Sequence, residues 1–167
     1  MKHIVSILSL LLIAMSSVTA QEAGDDLLAK ESLGGLQLGM SEKALAPFLG
    51  KAAVSKSESV LEGATGEYIQ TWECKEKGLT LRMSSGEKKK GPKTVSAFTA
   101  HGKCTLATVK GIKLGSKKAE VVKAYGKVED KEMSSPTSFV AGSIYGGIIF
   151  TIKDGKVSEI FFGAAAE

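Results

Sequence analysis

The chain has 167 residues, and its 22 basic against 18 acidic side chains leave a net charge of only +4. That mild excess, with aromatic residues at 6% and no interleaving of basic and aromatic side chains, gives no support for nucleic-acid binding. Two cysteines, Cys74 and Cys104, lack a second Cys or a spaced pair of His at metal-ligand intervals, which argues against a zinc module.

Residues 1–20 read as an export signal. Lys2 and His3 form a short basic start, an apolar run extends from Ile4 to Met15, and Val18-Thr19-Ala20 supplies the small residues that precede cleavage. The run is shorter than the roughly 20 residues a membrane span needs, so cleavage after Ala20 is expected rather than a retained anchor. The mature protein is then periplasmic or secreted, with no transmembrane segment. Export makes a Cys74–Cys104 disulfide the expected state, worth roughly 3–4 kcal/mol in the chain-entropy account. A redox or metal site is the alternative.

Residues 21–32 form an N-terminal segment, polar and then briefly apolar, that reads either as a helical turn or as a loose terminus. Beyond it the chain repeats itself. Gly35-Leu36-Gln37-Leu38-Gly39, followed by Gly50-Lys51, recurs as Gly111-Ile112-Lys113-Leu114-Gly115, followed by Gly126-Lys127, at a constant offset of 76 residues. Ungapped register of the glycines marks an internal duplication, with repeat 1 over 33–108 and repeat 2 over 109–167. In repeat 1, Ser41 caps a helix whose apolar face is Ala44, Leu45, Phe48 and Leu49, with Gly50 as its stop and Pro47 keeping it short or kinked. Residues 51–66 read as a loop. Strands are expected over 67–74, 78–83 and 93–100, with Lys88-Lys89-Lys90 between the last two. In repeat 2, Ser116 is the expected cap of a helix carrying Ala119, Val121, Val122 and Tyr125. Strands follow over 138–145, 147–153 and 156–163.

Asp154-Gly155 is the preferred pair for a two-residue hairpin turn. That turn sets Ile152 opposite Val157, Phe150 opposite Glu159 and Ile148 opposite Phe161, a largely apolar face directed to the core. The other face carries Ile149, Ile160 and Phe162, either covered by repeat 1 or open to a partner. Leu79, Leu81 and Met83 match Ile148, Phe150 and Ile152 at an offset of 69, and Val95-Ser96 matches Val157-Ser158 at 62. Each repeat is thus helix, strand, strand, strand, and the fold class expected is α+β: two tandem αβββ units in one compact domain or two packed halves.

The pattern of G-x-x-L-G, a capped helix ending in Gly-Lys, and a meander closing with Asp-Gly-Lys-Val resembles the SmpA/OmlA superfamily over roughly residues 35–163. The tandem arrangement is similar to that of the β-lactamase inhibitory proteins. The resemblance implies an exported interaction protein without catalytic activity. This chain has no lipidation Cys after its apolar run, and it is poorer in aromatic residues than those inhibitors.

No constellation for catalysis stands out. His101 is the one histidine after residue 20, and Glu129, Asp130 and Glu132 read as solvated loop charges. Gly34-Gly35 and Gly146-Gly147 lack the spacing of phosphate-binding loops. No metal or cofactor is expected. Tyr68 and Trp72 share a strand face, as a partner-binding anchor pair or as core. Lys88, Lys89 and Lys90 read as a solvated tip or as a contact with an acidic surface. The expectation is a non-catalytic exported protein that binds another protein through its sheet, using Tyr68, Trp72, Lys88, Lys89, Lys90, Ile149, Ile160 and Phe162. The alternative is a small-molecule or lipid-binding module with a cavity between the repeats.

Overall fold

The computed structural model describes residues 26–166, so the expected leader and its cleavage after Ala20 lie outside the described residues. Residues 26–30 are helical, and Leu27 and Glu31 are buried, so this part of the N-terminal segment is docked rather than loose. The elements that follow are α1 (Glu42–Leu49), β1 (Ser55–Lys56), β2 (Val60–Leu61), β3 (Tyr68–Cys74), β4 (Leu79–Ser84), β5 (Thr94–His101), α2 (Lys118–Tyr125) with a 3-10 turn at Gly126–Val128, β6 (Ser138–Ser143), β7 (Gly146–Lys153) and β8 (Lys156–Gly163). The fold is α+β with one antiparallel sheet of eight strands, in the order β1-β3-β4-β5-β8-β7-β6, with β2 beside β1 on the same edge of β3.

Each helix is short because its sequence stops it. In α1 the Ser41 hydroxyl accepts from Ala44 N–H at 3.4 Å, and Gly50, at φ +59°, ends the helix with its N–H on Ala46 O. Leu45 and Leu49, one turn apart, are its buried residues. In α2 the cap is Lys117, not Ser116. The Glu120 carboxylate reaches back to Lys117 N–H at 2.6 Å, while the Ser116 hydroxyl accepts from Lys113 N–H in the preceding turn at 3.2 Å. Val121 and Tyr125 are buried, but Val122 is 44% exposed. It lies a quarter-turn round from Val121, outside the narrow stripe an eight-residue helix turns inward.

Residues 55–61 are the clearest departure in the first half. Expected as loop, they supply β1 and β2, which pair with opposite ends of β3. Two-residue pairings carry no alternation for a sequence reading to detect.

The hairpin at Asp154-Gly155 pairs Lys153 with Lys156 and Ile152 with Val157 as expected, and then slips. A bulge at Ser158 sets Thr151 opposite Glu159, Phe150 opposite Ile160, and Ile148 opposite Phe162. The expected Phe150–Glu159 and Ile148–Phe161 pairs are therefore replaced. A one-residue slip exchanges faces, so Ile160 and Phe162 turn inward and Phe161 turns outward. The matching bulge in β5 is at Ser96, between pairs Arg82–Ala97 and Met83–Val95. Ser96 Oγ donates to Arg82 O at 3.1 Å and Ser158 Oγ to Thr151 O at 3.2 Å.

The approaches to the helices are also alike. Gly39 N–H donates to Val95 O and Val95 N–H to Met40 O, while Gly115 N–H donates to Val157 O and Val157 N–H to Ser116 O, all at 2.8–3.0 Å. Both helices lie on one side of the sheet, where Leu45, Leu49, Val121 and Tyr125 join the inward strand residues in a single core. At the middle, β5 pairs with β8 and Phe98 stacks on Phe162 with centroids 4.6 Å apart.

Candidate functional site on the open face of the sheet

The helices cover one face of the sheet, and the central strands of the other carry no helix. Period-two alternation sends Ile69, Thr71 and Glu73 of β3, Thr80 and Arg82 of β4, and Thr99 and His101 of β5 to that open face. After the bulge, Glu159 and Phe161 of β8 join them, with Ile149 and Thr151 of β7. One row crosses six strands in register: Glu73, Thr80, Thr99, Phe161, Ile149 and Val140. Phe161 and Ile149 are half-buried and Val140 is buried. A shallow depression of about 220 Å³ lies between Ile69, Thr71, Arg82, Thr99 and Phe161.

Fixed polar contacts frame this face. Arg82 pairs with Glu62, tying the β2 end to β4. Thr80 Oγ1 and His101 Nε2 are 3.0 Å apart, and His101 faces Glu159 across the β5–β8 ladder. A hydroxyl beside an imidazole is the start of a nucleophile–base pair. Here both sit on interior strands of the sheet. Among the described residues no group of three or more His, Cys, Asp or Glu is placed to hold a metal ion, and no helix is long and apolar enough to cross a membrane. The face offers hydroxyls, the half-buried Phe161 ring and aliphatic surface.

The residues singled out from sequence do not form one patch. Trp72 is 4% exposed; its indole N–H donates to Gln70 Oε1 at 2.8 Å and the Lys56 ammonium lies 3.5 Å from its ring centroid. Ile160 and Phe162 are in the core. These three are therefore buried rather than displayed: strand alternation buries Trp72, and the bulge buries the other two. Tyr68 is half-buried at the β2 edge, and the exposed Lys88, Lys89 and Lys90 sit on the adjoining loop, where Tyr68 N–H donates to Gly86 O at 2.8 Å. Ile149 stays on the open face, four strands away.

The expected disulfide is also absent. Cys74 and Cys104 are both buried free thiols and are not near each other. Cys74 ends β3 opposite Leu79, whereas Cys104 lies beyond the end of β5. Burial raises the Cys104 thiol, an effect larger than the opposing backbone hydrogen bond from Leu106.

Phe161, Thr71, Thr80 and Thr99 were missed by the sequence reading. The threonines carried a signal in β4, where Thr80 and Arg82 alternate with Leu79, Leu81 and Met83, but Phe161 became outward only through the bulge. Compared with protein-family models, with curated proteins and with solved structures, the chain matches none of them.

Proposed function

We propose that this chain is an exported, non-catalytic protein that docks another protein on the open face of its sheet, and that the sheet is built from two copies of one helix-and-meander unit. The observation that carries the docking reading is the uncovered row Thr80–Thr99–Phe161–Ile149 at the centre of a continuous sheet. Six strands at about 4.8 Å spacing, each with about six residues at 3.3 Å, present roughly 29 by 20 Å. That is about 580 Å², below the roughly 800 Å² each partner contributes to an ordinary protein–protein interface and in the range of a smaller, transient one. An aromatic and aliphatic centre with hydroxyls and charges at its margin is the composition such interfaces have. The duplication rests on the constant 76-residue offset and on the two serine bulges at equivalent places. Export rests on the character of residues 1–20.

The test uses the double variant Phe161→Asp, Ile149→Lys, checked for native Trp72 fluorescence and circular dichroism. Against an envelope extract from the source cells, the wild-type protein should capture a saturable protein partner. The variant should bind it at least tenfold more weakly. Absence of a saturable partner, or equal capture by the variant, removes the docking reading.

A further inference from the structure

A second concave site lies on the helix side of the sheet, away from the open face. It is a groove of about 540 Å³ between the end of α1, the β3–β4 turn and the segment after β5. Small-molecule pockets run from roughly 300 to 1,000 Å³. Pro47, Phe48 and Leu106 make its wall, and the last two are only partly buried although they pack on the core. The turn at Gly34-Gly35 lets this wall close up. A Cβ at Gly34 would sit 2.6 Å from Leu106 Cδ2, and one at Gly35 3.4 Å from Phe48 Cζ. Lys77 and Lys103 stand on the rim from two different loops, with Glu76 the one acid beside them. Neither lysine has an ion-pair partner among the described residues.

The corresponding place in the second half has a different wall. At the offset of 76, Gly34, Pro47 and Phe48 become Lys110, Lys123 and Ala124, which line their own groove of about 400 Å³. There the Lys110 ammonium donates to Ala124 O at 3.1 Å and lies 4.4 Å from the Tyr125 ring centroid, so a cation occupies the position left open in the first half. The same scaffold thus carries a groove lined by lysines in one unit and a groove with an apolar wall and a cationic rim in the other.

We infer that the groove beside α1 binds a single-chain amphipathic anion. Its alkyl chain lies against Phe48 and Leu106, and its carboxylate or other anionic head sits between Lys77 and Lys103. An apolar wall selects the chain, and two unpaired ammonium groups select the charge. This site is independent of the protein-docking face.

Decanoate below its micelle concentration is the probe, titrated into the purified protein by calorimetry and by NMR. One-to-one saturable binding is expected, with shifts at the Phe48 ring and the Leu106 methyls and none at Ile149. Decanol should bind at least tenfold more weakly than decanoate. The exposed-site variant Lys77→Glu, Lys103→Glu should lose at least tenfold in decanoate affinity while keeping its fold. The open-face variant Phe161→Asp, Ile149→Lys should bind decanoate like the wild type, so this inference can fail while the docking reading stands. Failure to saturate, equal affinity for decanol, or an unchanged affinity in the lysine variant overturns it.

Discussion

Gly78 and Gly102 have nearly the same backbone, φ +62° and +56°, in turns at the same end of the sheet, yet they are not equally replaceable. At Gly102 a Cβ meets open space, whereas at Gly78 it would lie 2.1 Å from His101 O and 2.6 Å from Cys104 N. His101 N–H also donates to Gly78 O at 2.9 Å, so the two backbones are held together there. Gly102→Ala should cost about 1–2 kcal/mol, the left-handed strain alone. Gly78→Ala should cost at least about 3 kcal/mol, because backbone must move as well. Urea midpoints of the two variants give the comparison.

Tyr125 makes a residue-scale prediction about pH. Its hydroxyl is buried among Thr108 and Glu31 but makes no hydrogen bond of good geometry. Burial above all raises this phenol well beyond its ordinary value of 10.0; the Thr108 side chain opposes the shift and the negative charge of Glu31 adds to it. The folded protein therefore keeps the proton where the unfolded chain would release it. The contribution is fully present below about pH 10 and is lost as pH rises above it. Stability curves from pH 8 to 11 should fall less steeply in Tyr125→Phe than in the wild type. A parallel descent of the two curves would contradict this account.

The elements are short and depend on their ends. An eight-residue helix lies below the length at which a helix holds itself together in water, so caps and burial do the stabilising. In α2 the Glu120 carboxylate supplies the reciprocal bond to Lys117 N–H. Glu120→Ala should lower stability by about 0.5–1 kcal/mol, measured by thermal unfolding, and most strongly at low salt. The bulges at Ser96 and Ser158 show how an element departs from its pattern. In each, one serine fits an extra residue into the strand by hydrogen bonding to the opposing carbonyl. The consequence at Ser158 is large, because a single slipped residue decides which of Phe161 and Phe162 joins the core.

At the scale of the molecule, the β5–β8 ladder makes one sheet and one core from the two halves. A chain cut to residues 109–167 would expose the β8 edge and the Phe162 ring, which stacks on Phe98. Such a fragment is also near the size at which a single core is marginal. It should show no cooperative urea transition, while the full chain unfolds in one step seen alike by Trp72 fluorescence and circular dichroism. A fragment that unfolds cooperatively would show that the units are self-sufficient. The joined sheet also brings Thr80 and Thr99 into one row with Phe161 and Ile149, residues 50 to 81 positions further along the chain.

Much of the architecture was legible before any coordinates. The helix stops, the three strands of each half and the turn at Asp154-Gly155 are written in local chemistry: caps, φ-permissive glycines and alternating apolar residues. Those signals act over a few residues, so one sequence carries them completely. The edge strands β1 and β2, the bulge that exchanged Phe161 for Phe162, the separation of Cys74 from Cys104 and the row across the open face were decided by the tertiary structure. Each depends on which strands become neighbours and in what register, and that choice belongs to the packing of the whole core rather than to any segment within it.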